Sequence, residues 1–438
     1  MKKSLLITTL ILALAGIATA QDVYLLGTKN YYYEWNTVYM PTVWKNGEIL
    51  YQDGEPLEGY SFEKGGLAID DETQDVYWYS ARSYNNTFER AYLFKNDAFY
   101  DEIDVTGNIA PSILGMHYKR FSESNSAALI SAGYKHYGGE YYAVIWRNGN
   151  IKYAPNFGVG SRTSANDVVV VGDDENNCDY YYCGSIDINW ESCAMAWHND
   201  EVYISLTTER SGMIKIGYYD GDIYILGWIR NIETYEEKTV LWKNQDIYFT
   251  LEEEGVSIIP RNMVISDGDI WICTTSQHES DAKNGDGTIK IWKNGEVMYE
   301  HAQSEYEDSY VSGMDVVNGD VYYVIQAWND PTCDIYKNGE LLYGFNGDDI
   351  NISALKVYFH DTSSVKETAA PTLSVYPNPA NDVIRIENGS NEAVEICNAT
   401  GQLMMSVEAN NGNISVSGLP AGLYLLKQGK NITQFIKE

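Results

Sequence analysis

Seven times along the chain the same three-residue phrase recurs: an aromatic residue, a basic residue or His, and Asn. It reads Trp44-Lys45-Asn46, Phe94-Lys95-Asn96, Trp146-Arg147-Asn148, Trp197-His198-Asn199, Trp242-Lys243-Asn244, Trp292-Lys293-Asn294 and Tyr336-Lys337-Asn338. A near-constant period of this size means one supersecondary unit copied in tandem, and no single copy can bury its own faces.

Each copy lays out as four short strands. A first apolar run ends in a turn, as in Met314-Asp315-Val316-Val317 before Asn318-Gly319-Asp320. The second strand opens with Asp, an apolar residue and an aromatic: Asp22-Val23-Tyr24, Asp75-Val76-Tyr77, Asp222-Ile223-Tyr224, Asp269-Ile270-Trp271 and Asp320-Val321-Tyr322. The third strand ends in the phrase, and the fourth is short. Gly47, Gly149, Gly295 and Gly339 follow the phrase Asn, and Asn-Gly suits a two-residue hairpin that needs positive φ at both positions. The phrase is therefore a strand end plus a turn. Its aromatic is expected to pack between neighbouring units, with the Lys stem over the edge of that ring.

Four-stranded units of about 40–50 residues are the mark of a β-propeller. Seven phrases predict a seven-bladed all-β propeller over residues 21–360. The first copy begins at its second strand, whereas Ile352–Phe359 follows the last copy as an orphan. That orphan fits the missing first strand of blade one and would clasp the two ends in one blade, removing an open edge. Turns joining strands one to two and three to four are short and alike, so they share one face. Connections joining strands two to three, and blade to blade, vary in length and share the other. Variable loops on a rigid scaffold are where function is expected.

At the start, Lys2 and Lys3 precede the uncharged run Ser4 to Thr19, and Ala18-Thr19-Ala20 offers small residues for cleavage. Residues 1–20 thus read as a signal peptide, too short in its apolar run to span a membrane. The net charge of −32 leaves too few basic residues for a nucleic-acid surface. The cysteines, Cys178, Cys183, Cys193, Cys273, Cys333 and Cys397, show no zinc-ligand spacing. Cys183 and Cys193 flank a hairpin centred near Ile188, which would set them opposite each other. Either a cross-strand bridge or buried free thiols would fit.

From Leu373 the pattern changes. Leu373-Ser374-Val375-Tyr376-Pro377-Asn378-Pro379-Ala380, Thr400-Gly401-Gln402 and Gly418-Leu419-Pro420-Ala421-Gly422-Leu423-Tyr424 alternate apolar residues with turns. They predict a small β-sandwich of about seven strands over residues 372–438, behind a linker at 361–371. The Tyr-Pro-Asn-Pro, Thr-Gly-Gln and Leu-Pro-Ala-Gly-Leu-Tyr elements together closely resemble the type A C-terminal sorting domain of the type IX secretion system of Bacteroidetes. The resemblance implies export to the periplasm, passage through the outer membrane by that machinery, and tail removal with release or surface attachment. Cys397 stands where that family usually carries another apolar or aromatic residue, and core packing is its expected role.

No phosphate-cradling loop, metalloprotease helix, nucleophile elbow or Cys-x-x-Cys site appears in usable context. Asp281 to Gly287 lacks the ordered acids of a calcium loop, so no metal and no cofactor is expected. The variable-face loops do mix aromatics with carboxylates and amides. Trp35, Tyr84, Trp190, Tyr235 and Trp328 are the candidate ligand-binding residues, because flat rings stack on sugars while neighbouring acids and amides bond hydroxyls. The expected function is an exported binding module for a glycan or protein. The alternative is a glycan-active hydrolase or lyase, which needs two converging carboxylates. Glu252, Glu253, Glu254, Glu305, Glu307 and Asp308 are candidates for those, on blade-to-blade connections.

Overall fold

The computed structural model describes residues 21–32, 37–55, 58, 60–85, 87–104, 111–137, 140–155, 162–278, 288–302, 309–327, 333–345, 350–359, 374–387, 393–398, 402–407, 413–428 and 431–438. Residues 1–20, 33–36, 279–287, 303–308, 328–332 and 360–373 lie outside them, and with them the signal-peptide and linker readings, Trp35, Trp328, the loop at Asp281 to Gly287, and Glu305, Glu307 and Asp308. Every described element is a strand, and the chain divides into two compact units, Met1–His360 and Asp361–Glu438.

The first unit holds seven four-stranded antiparallel sheets. Their inner strands are Ile350–Phe359, Tyr60–Ile69, Ser112–Phe121, Arg162–Asp174, Ser211–Tyr219, Val256–Ser266 and Ser309–Val317, for blades one to seven. Each inner strand touches that of the next blade. The ring closes where the blade-seven strand meets that of blade one, which in turn meets blade two. Seven blades around one axis make this a β-propeller.

Closure uses the orphan strand. Ile350–Phe359 pairs antiparallel with Gln21–Tyr32, the register running from Gln21 opposite Phe359 to Lys29 opposite Ile350. Gln21 also reaches blade seven, bonding the Tyr322 hydroxyl and accepting from Lys337 Nζ at 3.0 Å. Both ends of the propeller chain are thereby held in hydrogen-bonded sheet.

The phrase aromatics are the mortar between blades. Trp44 packs against Tyr322, Val324 and Ile335 of blade seven, Trp146 against Tyr79 and Leu93 of blade two, and Trp242 against Ala194 and Ala196 of blade four. Trp44, Trp146, Trp197 and Trp242 are almost wholly buried, each removing a large ring from water at a worth of about 2–3 kcal/mol. Opposite each phrase aromatic the fourth strand carries a bulge, for example between Val43 and Trp44 and between Leu241 and Trp242. These bulges twist the outermost strand, whose free edge would otherwise invite pairing with another chain.

In the second unit, the sheet of Ser374–Tyr376, Val383–Glu387 and Asn413–Ser415 shares a core with that of Leu403–Val407, Val394–Asn398, Gly422–Gln428 and Asn431–Lys437. This is a seven-stranded sandwich. Its motif residues have local work: Tyr424 is buried with its hydroxyl donating to the Pro420 carbonyl at 2.9 Å, and Asn398 Oδ1 accepts the Gln402 amide at 2.9 Å. Cys397 is not a core residue. Val394 and Ile396 take the inward positions of their strand, and the two-residue period turns Cys397 to the other face, half-buried.

Candidate functional site

The two faces of the propeller differ in kind. On the uniform face each phrase builds a clasp. The Asn stands at positive φ in all seven copies, between 46° and 57°. Its Oδ1 accepts the backbone N–H at the second position of the second strand, from Val23, Val76, Leu129, Tyr180, Ile223, Ile270 and Val321, at 2.8–3.0 Å. Its Nδ2 donates to the Asp that opens that strand: Asp22, Asp75, Asp179, Asp222, Asp269 and Asp320. The same Asp pairs with the basic residue of the phrase, at 2.7–2.8 Å for the five lysines and 3.0 Å for His198.

The cation does not lie on the ring of its own phrase, as the sequence suggests. It lies on the aromatic of the second strand: Lys45 over Tyr24, Lys95 over Tyr77, Lys243 over Tyr224, Lys293 over Trp271 and Lys337 over Tyr322, with His198 stacked on Tyr181 at 4.3 Å. The phrase ring faces inward between blades, so its outer surface is taken, whereas the second-strand ring is open to the cation. Blade three departs. It has Ala128 in place of the Asp, and Arg147 turns to Glu175. This face is scaffold, its polar groups satisfied by one another.

On the variable face, Tyr84, Trp190 and Tyr235 stand on the strand two-to-three connections of blades two, four and five. Each belongs to its own blade, and the structure does not gather them into one patch. Tyr84 is 42% exposed and leans on Tyr60 with ring centres 4.8 Å apart. Tyr235 is 67% exposed at φ 62°, in a loop pinned by Asn231 Oδ1, which accepts the amides of Glu233 and Thr234. Below that loop lies a cleft of about 560 Å³ edged by Glu209, Glu233, Glu236 and Glu252.

Trp190 is the most exposed large hydrophobic side chain among the described residues, at 84%. With Asn189 it forms the two-residue turn between Ile188 and Glu191, at φ 71° and 51° respectively. A bulky residue at positive φ costs about 1 kcal/mol or more relative to Gly, and here no burial returns it. Arg162 lies 4.8 Å from the indole, is ion-paired to Glu140 at 2.9 Å, and stands 5.4 Å from the Tyr141 ring. Tyr141 in turn meets Tyr134 and His136, the His136 ring lying 4.6 Å away. Burial holds the His136 pKa below its ordinary value, which favours the neutral imidazole. Sequence reasoning found Trp190 but not this cluster, because Arg162 and Tyr141 come from different blades and meet only through the fold.

The same register excludes the proposed disulfide. The hairpin turns at Asn189-Trp190, so Cys183 stands opposite Ala196 and Cys193 opposite Ile186. Both are buried free thiols. Of the carboxylates considered for hydrolysis, Glu252 faces Lys238 at 3.6 Å and Glu253 faces Lys290 at 2.5 Å, each tied to a lysine rather than to a second acid.

Along the axis, the inner strands enclose a cavity of about 270 Å³. Each inner strand carries a bulge near its middle, as at Gly65/Leu67, Ala165/Asp167 and Pro260/Asn262. Asp167, almost wholly buried, accepts from His117 Nε2 at 2.8 Å and from the Ile216 amide at 3.3 Å, with Lys215 Nζ at 3.7 Å. Burial alone would raise its pKa, but the charges of Lys215 and His117 and these hydrogen bonds prevail and hold it at about 2. Gly115 leaves the room: a Cβ there would stand 2.6 Å from the Asp167 carboxylate. No spacing in the sequence marks this group, since its members lie about 50 residues apart on three blades.

The sandwich decides where the protein goes. Residues 374–438 match the family model described as the secretion system C-terminal sorting domain. The tail is a type IX secretion sorting domain. It directs the protein to the cell surface or beyond it, and no helix among the described residues is long and apolar enough to cross a membrane. Among solved structures, the chain is similar to PorZ, described as an essential bacterial surface component of the type IX secretion system of Porphyromonas gingivalis. The identity is 12%, the match covers 91% of this chain and 73% of that one, and the TM-score is 0.30. It is also similar to the Dos1 propeller, at 9% identity over 85% of this chain and 92% of that one with a TM-score of 0.40. A neuraminidase-like protein of subtype N10 from an influenza virus of the little yellow-shouldered bat matches at 10% identity, over 62% and 92%, with a TM-score of 0.36. Likenesses this loose say nothing about activity. No curated protein matches the chain.

Proposed function

We propose that the protein is an exported recognition module that binds a glycan or a protein through the variable face of its propeller, the sorting tail serving as its address. The signal peptide of residues 1–20 and the linker of 361–371 complete that route. The observation that carries the reading is Trp190. A solvent-exposed indole is held at positive φ in a position that Gly fills at less cost, with Arg162 against it and Tyr141 and His136 alongside. A strained, exposed aromatic is the signature of a group retained for contact with a ligand. Sugars suit the site because an indole face stacks on their C–H surface while Arg162 and Glu140 bond hydroxyls.

The test is a glycan array and a surface-protein pulldown with the full secreted chain, repeated with Trp190→Gly. The exchange relieves the turn and gives up an exposed cation–π contact worth about 0.5–1 kcal/mol. Folding stability is therefore expected to stay level or rise slightly, while ligand binding falls at least tenfold. Binding undiminished in Trp190→Gly, or in Arg162→Gln, would remove this cluster from the function. The absence of any captured ligand would remove the recognition reading itself.

A further inference from the structure

Asn-Gly turns carry a chemistry of their own besides their shape. Five of the chain's Asn-Gly pairs fall within the described residues: Asn46-Gly47, Asn148-Gly149, Asn294-Gly295, Asn318-Gly319 and Asn338-Gly339. All five asparagines stand at similar positive φ, between 46° and 53°. Four of them are phrase residues, whose Oδ1 accepts a strand amide. In Asn46, Asn294 and Asn338 the Nδ2 also donates to an Asp. Asn318 is the fifth and belongs to no phrase. It turns blade seven from its first strand to its second, between Val317 and Asp320. Its side chain makes no hydrogen bond among the described residues.

Exposure does not separate the five, because Asn46 and Asn294 are exposed like Asn318. Nor does the room around the glycine. Gly319 and Gly295 both stand clear, with no atom within 4 Å of where a Cβ would lie, whereas the Glu102 carbonyl closes in Gly149. Asn318-Gly319 differs from Asn294-Gly295 by the clasp: Asn294 holds the Ile270 amide at 2.9 Å and Asp269 at 2.8 Å. The reaction open to such a pair needs only water. The Gly amide nitrogen attacks Cγ of the Asn side chain, and the new N–Cγ bond closes a five-membered succinimide. The Cγ–Nδ2 bond breaks, and ammonia leaves with the proton of the Gly N–H. Water then adds to either ring carbonyl and opens it to an aspartyl or an isoaspartyl residue. Glycine obstructs this least, having no Cβ beside the attacking nitrogen. The side chain must first swing onto that nitrogen as the turn opens. A clasped Asn has to break its bonds to do so, and Asn318 has none to break. Two hydrogen bonds of ordinary worth amount to about a tenfold difference or more.

We propose that Asn318-Gly319 is a site of self-modification by deamidation, and that the phrase clasp, with the closed-in Gly149 in blade three, shields the four matching turns from the same reaction. The site lies beside the seam where the ends of the propeller chain meet. Asp320, two residues on, accepts from Asn338 Nδ2 at 2.7 Å, Lys337 Nζ at 2.8 Å and Gln21 Nε2 at 3.3 Å. An isoaspartyl link puts an extra backbone carbon into a two-residue turn whose geometry has no place for one. The turn is on the uniform face, so this inference and the Trp190 reading stand or fall separately.

Peptide mapping by mass spectrometry tests this on the full secreted chain, aged at mildly alkaline pH and physiological temperature beside a parallel sample in denaturant. Mapping reads each Asn-Gly separately, including Asn284, Asn346, Asn388 and Asn411, which lie outside the described residues. In the native protein Asn318 should convert at least about tenfold faster than Asn46, Asn148, Asn294 and Asn338. In denaturant the five should convert at similar rates, since the dipeptide is the same. Asp269→Ala removes the Nδ2 acceptor of Asn294. It should raise conversion at Asn294 roughly threefold and leave that at Asn318 unchanged. Native conversion at Asn318 no faster than at the clasped four, or absent while it proceeds in denaturant, would overturn the site. An unchanged rate at Asn294 in Asp269→Ala would overturn the shielding role of the clasp.

Discussion

The clasp on the uniform face can be taken apart at Asn244 of blade five. Two effects act there. The residue stands at φ 57°, where Ala is penalised by about 1 kcal/mol and Gly is not. Its Oδ1 is also the acceptor, at 3.0 Å, for the amide of Ile223, whose residue is buried. Stranding a buried amide costs about 1–3 kcal/mol, and the lower end applies at the edge of a blade. Solvent screens the bonds that Asn244 and Lys243 make to Asp222, so these add little. Asn244→Gly should therefore lose about 1 kcal/mol, and Asn244→Ala about 2. In thermal melts of the full chain the two should fall below the parent in that order, separated by a degree or two. Hydrogen exchange at the Ile223 amide supplies the local readout, with protection falling in both variants while the Leu226 and Leu241 amides in the sheet interior keep theirs. If Asn244→Gly matches the parent, the side-chain acceptor contributes nothing. If Asn244→Ala is no worse than Asn244→Gly, the strained turn is not the reason Asn occupies this position.

Asp70 gives a pH prediction. Burial would raise its pKa, yet hydrogen bonds from Arg120, Thr73 and the Glu72 amide hold it at about 2. The folded pKa lies below the ordinary carboxylate value near 3.9, so this stabilisation is complete above pH 4 and is lost as pH falls towards 2. With Arg120 partly in water it is worth about 1 kcal/mol, and the stability gap between the parent and Asp70→Asn should close between pH 4 and 2; a gap that persists at pH 2 would refute the assignment. The cysteines should all be free. Under denaturing, non-reducing conditions a thiol reagent should label all six, whereas in the native state Cys183, Cys193, Cys273 and Cys333 resist labelling because they are buried, with burial pushing the Cys273 thiol up to about 12. Two labels missing under these conditions, and regained after reduction, would show a bridge.

The propeller was legible in the sequence to an unusual depth. Blade number, strand order, the closing strand and the sorting of loops onto two faces all follow from a phrase that repeats at blade length, because each copy must form the same hairpin. The sandwich tail was legible for a similar reason, its short motifs being local turns such as that of Pro420 and Tyr424. Where local reasoning failed, the error was one of register or facing. Cys183 and Cys193 were placed opposite each other by a hairpin centre that lies one or two residues from the true turn. Cys397 was assigned to a core that its strand alternation turns it away from, and the phrase lysines were laid on the wrong ring. A shift of one residue along a strand reverses its face, and composition alone carries no information about that phase.

What the sequence determined by itself was therefore the repeat and everything a repeat imposes: a closed ring of blades, a scaffold face and an exported tail. Only the tertiary structure decided which side chains from different blades meet. Trp190 acquires Arg162 and Tyr141, and Asp167 acquires His117 and Lys215, through contacts between residues tens of positions apart. The physical reason is that backbone hydrogen bonding and burial act along each strand with a short period and leave a trace in the sequence. The charges and rings that form a site are brought together across blades by ring closure, which no local pattern records.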